Sequence, residues 1–214
     1  MTAPAPNPTD EELARQARAG SLVAFDELVA RFEVRLFRFL VQGTRNETDA
    51  AELTQDTLVT AYQKLAGYDP ARSFATWVFT IARRKQIDFF RHHGVRRDHA
   101  LGITADDLVD EADPGRLAEQ AEERDRVWDC ARASLAELPF QALWLKYNED
   151  LSVEQIAAVL GRTTIHVKVI LFRARATLAT ALARWERAAD SGRPAVPAAP
   201  PITARRMAPP ALTL

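Results

Sequence analysis

The stretch LSVEQIAAVLGRTTIHVKVILFRARATL (residues 151–178) decides the fold of the C-terminal half of this chain. Ser152 is a good helix N-cap, and the apolar residues after it recur at helical spacing. Gly161 is the residue type that ends a helix, and a longer helix begins near Thr163 or Thr164. Two helices joined by such a short turn predict a helix-turn-helix, whose second helix enters the major groove of DNA.

Polar and basic side chains occupy the N-terminal end of the second helix, which meets base edges and phosphates in such a motif. They are Thr163, Thr164, His166 and Lys168, and Arg173 and Arg175 extend a basic surface further along the helix. We expect them to form a DNA-binding surface. A helical hairpin without DNA contact is the alternative interpretation of the same pattern.

A second informative stretch is FATWVFTIARRKQIDFFR (residues 74–91). Its spacing predicts a helix with a buried face formed by Phe74, Val78 and Ile81. A different face combines one aromatic ring with charged side chains: Trp77, Arg84, Asp88 and Arg91. Single-stranded nucleic acid suits this combination, because bases stack on the ring for about 1–3 kcal/mol each and cations hold the phosphates. The alternative is a core tryptophan beside a solvated basic helix face.

The charge is unevenly distributed along a chain of 214 residues with a formal net charge of −1. Residues 72–97 carry seven basic side chains and one acid, and residues 162–187 carry six basic side chains and one acid. Between them, residues 98–125 carry ten acids and two basic side chains. Two basic segments separated by an acidic one indicate two sites for a polyanion.

Apolar periodicity and the scarcity of glycine predict an all-α protein of two helical domains joined by a flexible acidic linker. The expected segments are a disordered N-terminus at 1–9, a first domain at 10–94, the linker at 95–115, a second domain at 116–188, and a disordered tail rich in Pro and Ala at 189–214. Residues 10–42 are predicted to be helical, with a start at Ser21 after Gly20. The following helix has a predicted apolar face of Leu58, Tyr62 and Leu65.

The sequence carries no pattern that indicates catalysis, so we expect no enzyme activity, cofactor or small-molecule substrate. The nearest approach to a metal site is the group His92, His93, His99 and Cys130, whose spacing matches no zinc motif, and no metal is expected. A single cysteine permits no intrachain disulfide, and no apolar run approaches the roughly 18 residues of a membrane span. We therefore expect a cytoplasmic protein without membrane insertion.

Two blocks of the chain together resemble the extracytoplasmic-function (ECF) sigma factors, the smallest class of the sigma-70 superfamily. Residues 49–91, DAAELTQDTLVTAYQKLAGYDPARSFATWVFTIARRKQIDFFR, resemble the family's region 2. Residues 151–178 resemble its region 4, the helix-turn-helix. The resemblance implies a factor that binds core RNA polymerase and promoter DNA and directs transcription initiation, with an anti-sigma factor as a regulatory partner.

The resemblance also implies roles for particular positions. Those on the family's polymerase-binding helix are Asp49, Glu52, Gln55 and Asp56. Those on the helix that meets and opens the −10 element are Trp77, Arg83, Arg84, Lys85, Asp88 and Arg91. The loop at 67–73 matches the one that captures a flipped base, and Lys168, Arg173 and Arg175 match basic positions of the helix that reads the −35 element.

Two positions depart from the family pattern. Val169 and Ile170 stand where the family usually has a small polar residue and an arginine. This difference predicts altered −35 recognition, with apolar contact to thymine methyl groups. It also leaves open two other classes of protein: a sigma mimic that sequesters an anti-sigma factor, and a helix-turn-helix regulator.

Overall fold

The computed structural model describes residues 7–92 and 117–190, and within these ranges the regular structure is entirely helical. The helices are α1 (Asp10–Arg18), α2 (Leu22–Thr44), α3 (Glu47–Lys64), α4 (Phe74–His92), α5 (Leu117–Ser134), α6 (Glu137–Tyr147), α7 (Val153–Leu160) and α8 (Thr164–Asp190), with a 3₁₀ turn at Leu65–Gly67. The all-α prediction is confirmed. The predicted linker and tail lie almost wholly outside the described residues.

The segment predicted to be helical at 10–42 consists of two helices. Gly20 has a φ of 103°, a conformation that glycine adopts readily and that ends α1. Ser21 then caps α2, because its side chain accepts a hydrogen bond from the Ala24 N–H at 3.3 Å. The predicted helix start at Ser21 is therefore confirmed. The predicted helical segment is interrupted between Arg18, where α1 ends, and Leu22, where α2 begins.

The first four helices enclose a core of aromatic side chains from α2 and α4. Phe32 packs edge-on against Phe74 with ring centroids 5.2 Å apart, and Phe39 packs against Phe79 at the same distance. Phe74, Val78 and Ile81 are all buried, as the spacing of α4 predicts. Because this face of α4 packs in the core, the opposite face of the helix is directed towards solvent.

The predicted apolar face of α3 is partly wrong. Tyr62 is 48% exposed, whereas the polar residues Thr54 and Thr57 are buried. Each threonine hydroxyl donates to the carbonyl four residues earlier, at 2.8 Å and 2.6 Å, so these small side chains can be buried without an unsatisfied polar group. The helix therefore packs through Leu53 and small residues, whereas Val59 and Tyr62 lie largely exposed.

One compact unit contains α1 to α4, α6, α7 and the first part of α8, while α5 and the rest of α8 belong to a second unit. Within the first unit, α7 packs against α4 and α6 packs against α2. No pattern in the sequence indicated these contacts. The predicted domain boundaries stay a prediction.

None of the helices in the described ranges is by itself long and apolar enough to cross a membrane. One bent pair, α7 with Thr164–Trp185, passes the same criterion on length and composition alone.

Candidate polymerase and nucleic-acid interfaces

The solvent face of α4 carries the aromatic and charged side chains that the spacing predicts. Trp77 is half-buried, and Arg84 is exposed about two turns further along the same side of the helix. Asp88 and Arg91 follow on the same side and form an exposed ion pair of 3.0 Å. The structure therefore brings four of the six predicted residues of this helix onto one surface.

Trp77 is held by aromatic neighbours. Its ring centroid lies 5.1 Å from that of Tyr68 and 5.6 Å from that of Phe74. Tyr68 is buried, and its hydroxyl donates to the carbonyl of Arg72, which fixes the loop before α4. Burial, with a smaller contribution from nearby carboxylates, raises the pKa of Tyr68 to about 12. The partly exposed indole of Trp77 is therefore held in place by the packed rings of Tyr68 and Phe74.

Arg83 does not lie on this surface. It is 5% exposed, donates to Gln86 at 2.6 Å and forms an ion pair with Glu137 of α6. Helix geometry explains the difference, because a residue six positions after Trp77 lies about 120° away from it around the helix axis, on the side that packs in the core. In this conformation Arg83 is a core residue, and its contact with DNA stays a prediction.

Lys85 connects the predicted −10 surface of α4 with the predicted polymerase-binding surface of α3. Its ammonium group lies 3.4 Å from the carboxylate of Asp56 on α3. Both side chains are partly exposed, so the pair contributes at most about 1 kcal/mol and can open to meet a partner.

The solvent face of α3 carries the residues predicted to bind polymerase. Asn46 caps the helix by accepting from the N–H groups of Thr48 and Asp49 at 2.9 Å and 3.2 Å. Asp49 is half-buried, and the exposed residues are Glu52, Gln55 and Asp56. Sequence reasoning missed Val59, which is 54% exposed and continues this face one turn beyond Gln55. The helical spacing from Glu52 and Asp56 could have indicated it.

The helix-turn-helix is present as predicted. Ser152 and Gln155 form a capping box at the start of α7, and Gly161 ends this helix with a φ of 62°. The axes of α7 and α8 are bent by 99° relative to each other. Val167 and Leu171 of α8 are buried, which leaves the other side of the helix exposed.

Most of the predicted DNA-binding residues of α8 face solvent. Thr163 accepts a hydrogen bond from the His166 N–H at 3.2 Å and so caps the helix, and Thr164 is half-buried. The exposed side chains are His166, Lys168, Arg173 and Arg175. The guanidinium of Arg175 also lies 5.9 Å from the ring centroid of Tyr147.

The two departures from the family pattern differ in position. Val169 is 40% exposed, whereas Ile170 is buried in the helix-turn-helix core. Ile165 and Phe172 are exposed on the same side as Val169, and sequence reasoning missed them as surface residues. The buried set at 167, 170, 171 and 174 has helical spacing, so periodicity could have separated the two positions.

No group of three or more potential metal ligands occurs within 7–92 and 117–190. Of the four residues considered, His92 is exposed at the end of α4 and Cys130 is buried, while His93 and His99 lie outside the described part of the chain. Burial raises the pKa of the Cys130 thiol, and a hydrogen bond with Ser134 opposes this change.

Comparison with known proteins agrees with this arrangement. The family model for Sigma-70 region 2 matches residues 28–96, and the model for Sigma-70, region 4 matches residues 126–178. RNA polymerase sigma factor CnrH of Cupriavidus metallidurans is 32% identical over 187 residues, covering 83% of this chain and 96% of that protein. ECF RNA polymerase sigma factor SigF of Caulobacter vibrioides is 32% identical over 170 residues, covering 77% and 89%.

Solved structures of sigma factors also resemble this fold. CnrH in complex with the cytosolic domain of CnrY has a TM-score of 0.55 and 29% identity, covering 81% of this chain and 96% of that chain. The sigma factor RpoE in complex with the anti-sigma factor NepR, from Bartonella quintana, has a TM-score of 0.53 and 22% identity, covering 74% and 96%. The second similarity concerns the fold alone.

A helical bundle with a basic, tryptophan-bearing helix, followed by a helix-turn-helix, defines a DNA-binding protein of the transcription-initiation class. Within this class, the two matched sigma-70 regions and the similarity to a sigma factor over most of the chain identify the family. The chain belongs to the sigma-70 family of RNA polymerase sigma factors, in its extracytoplasmic-function group. Its function is therefore that of a sigma factor in transcription initiation.

Proposed function

We propose that this sigma factor uses α3 to bind core RNA polymerase, α4 to open the −10 element and α8 to read the −35 element. It acts by binding alone, and the chemistry of RNA synthesis stays with the polymerase. Because the polymerase holds both DNA-binding surfaces at once, neither needs to bind duplex DNA tightly by itself.

The observation that carries the proposal is the composition of the α4 solvent face. Trp77 is supported by Tyr68 and Phe74, so its partly exposed ring can stack on an unpaired base with little loss of side-chain entropy. Arg84 lies on the same side and can hold the adjacent phosphates. The loop before α4 has a fixed conformation, since the Asp69 carboxylate accepts from the Ala71 N–H at 3.0 Å. A flipped base would thus meet a preformed surface.

An anti-sigma factor is proposed as the regulatory partner. The support is the structure of CnrH, which is bound to the cytosolic domain of CnrY and matches 81% of this chain with a TM-score of 0.55.

Run-off transcription with purified core polymerase tests the proposal. Trp77→Ala is expected to lower open-complex formation about 5- to 150-fold, which corresponds to the loss of one stacking contact. Arg84→Ala should also lower it, through the loss of a phosphate contact. Arg15→Ala on α1 is the matched control, because Arg15 is an exposed arginine outside both interfaces. Thermal unfolding of each variant identifies any loss that comes from the fold.

Loss of transcription with retained polymerase binding supports the assignment of α4. Wild-type protein that binds core polymerase but yields no specific transcript would contradict the proposed promoter opening. Absence of polymerase binding would contradict the assignment of α3.

A further inference from the structure

We propose that Ile165, Val169 and Phe172 form an apolar stripe on α8 that recognises thymine methyl groups in the major groove of the upstream promoter element. These residues would determine which −35 sequences the protein prefers. The inference rests on the proposed function of α8 as the DNA-reading helix.

The stripe is a continuous surface feature. Ile165, Val169 and Phe172 are 75%, 40% and 72% exposed. Their spacing of four and three residues places them on one side of the helix. The core of the motif is already filled by other residues of α8, namely Val167, Ile170, Leu171 and Ala174. The stripe is therefore additional apolar surface, and contiguous exposed apolar side chains mark a binding surface.

Exposed basic side chains lie along both edges of the stripe. At about 100° per residue, Lys168 and Arg175 fall on one side of it. On the other side is Arg173, and Arg162 precedes the helix in the turn. An apolar centre with cations on both sides matches a major groove, where two phosphate backbones flank the base edges.

The position of the stripe along α8 favours DNA over a protein partner. Ile165 is the second residue of the helix, and all three side chains lie within its first nine residues. In a helix-turn-helix, this end of the second helix contacts base edges. Among the groups on those edges, the C5-methyl of thymine is the apolar one, so aliphatic and aromatic side chains select for it.

Replacement of thymine by deoxyuridine provides a direct test, because it removes the C5-methyl and leaves the hydrogen-bonding groups unchanged. Holoenzyme assembled from core polymerase and the full chain is first used to select promoters from a random DNA pool, and footprinting locates the upstream element. Each thymine of that element is then replaced in turn by deoxyuridine. Affinity is measured for wild type, Ile165→Ala, Val169→Ala, Phe172→Ala and the control Val23→Ala, an equally apolar residue exposed on α2.

We expect a thymine-containing upstream element in which deoxyuridine lowers the affinity of wild type about fourfold at one or more positions, as for the loss of one buried methyl group. The control variant Val23→Ala should show the same loss of affinity as wild type when thymine is replaced by deoxyuridine. The stripe variant that contacts a given methyl should bind the thymine promoter more weakly and show no further loss with deoxyuridine, which is the signature of a direct contact.

Two results would overturn the inference while leaving the proposed function intact. One is an upstream element that is selected but insensitive to deoxyuridine. The other is an equal deoxyuridine effect in all variants. This result would mean that the stripe does not contact the thymine methyl groups and would favour a protein partner for it. Selection of no upstream element at all would overturn both the inference and the assignment of α8.

Discussion

Gly43 lies near the C-terminus of α2, where α4 and α6 approach the backbone. A Cβ at this position would lie 2.0 Å from the Gln86 side-chain nitrogen and 3.2 Å from a carboxylate oxygen of Glu137. Gln86 is fully buried and donates to the Leu40 carbonyl at 3.2 Å, while it accepts from Gln141 at 2.9 Å. Because these bonds hold the amide in place, the side chain has little freedom to move aside.

We expect Gly43→Ala to lower the free energy of unfolding by about 1–3 kcal/mol through overpacking. Gly67→Ala is the matched control, since a Cβ at Gly67 meets no atom within 4 Å. Denaturant unfolding followed by circular dichroism measures both. Equal stability of the two variants would show that the network around Gln86 can rearrange.

Tyr68 makes the support of Trp77 sensitive to alkaline pH. Its pKa is raised from 10.0 to about 12, mainly by burial, so the folded state favours the neutral phenol. This stabilisation is fully present below pH 10 and is lost as the pH rises from 10 to about 12. Over that interval the free energy of unfolding should fall by about 1.4 kcal/mol per pH unit.

The difference in stability between wild type and Tyr68→Phe, measured against pH by urea unfolding, tests this dependence. The phenylalanine variant retains the ring and removes the ionisation, so its stability should vary less between pH 10 and 12. Parallel curves for the two proteins would mean that Tyr68 ionises without penalty.

At the scale of elements, α3 is an amphipathic helix whose outer face is acidic and polar near its start. The exposed side chains of Glu52, Gln55 and Asp56 leave this face without a basic residue before Lys64. A basic partner surface would be attracted to it, and charge reversal here should act mainly on complex formation.

We expect Glu52→Lys and Asp56→Lys each to weaken binding to core polymerase about tenfold or more, through unfavourable like-charge contact. Asp26→Lys on α2 is the control, because Asp26 is an exposed acid outside this face. Binding is measured by fluorescence anisotropy at two salt concentrations, and the effect should shrink at the higher one. Equal affinity of the α3 variants and the control would remove α3 from the interface.

At the scale of the whole molecule, charged and amide side chains join α2 and α4 to α6 and the turn after it. Arg35 forms an ion pair with Glu149, whose side chain is completely buried, and Arg83 pairs with Glu137. The buried amides Gln86 and Gln141 lie beside the second pair. These contacts hold Arg83 away from solvent, so its predicted contact with DNA requires the ion pair with Glu137 to break.

Arg35→Met is expected to destabilise the protein by about 3–5 kcal/mol, because it leaves the buried carboxylate of Glu149 without its partner. The double variant with Glu149→Met should recover much of this loss, since no unpaired charge is then buried. Denaturant unfolding of the two single variants and the double variant forms the cycle. Additive effects would mean that the two side chains do not interact in solution.

The sequence by itself determined the helical fold, the caps at Ser21 and Ser152, and the aromatic and charged face of α4. These features depend on neighbours within about four residues, so periodicity and residue type suffice to predict them. The same local rules predicted Trp77 and Arg84 on one surface and the turn at Gly161.

Only the tertiary structure decided which polar side chains are buried. Gln86 and Gln141 are 55 residues apart, and nothing near either of them in sequence indicates that they meet. Arg83 carries the same charge as its neighbour Arg84, yet one is in the core and the other in solvent. The physical reason is that burial of a charge depends on a partner such as Glu137, which the fold supplies from a distant segment.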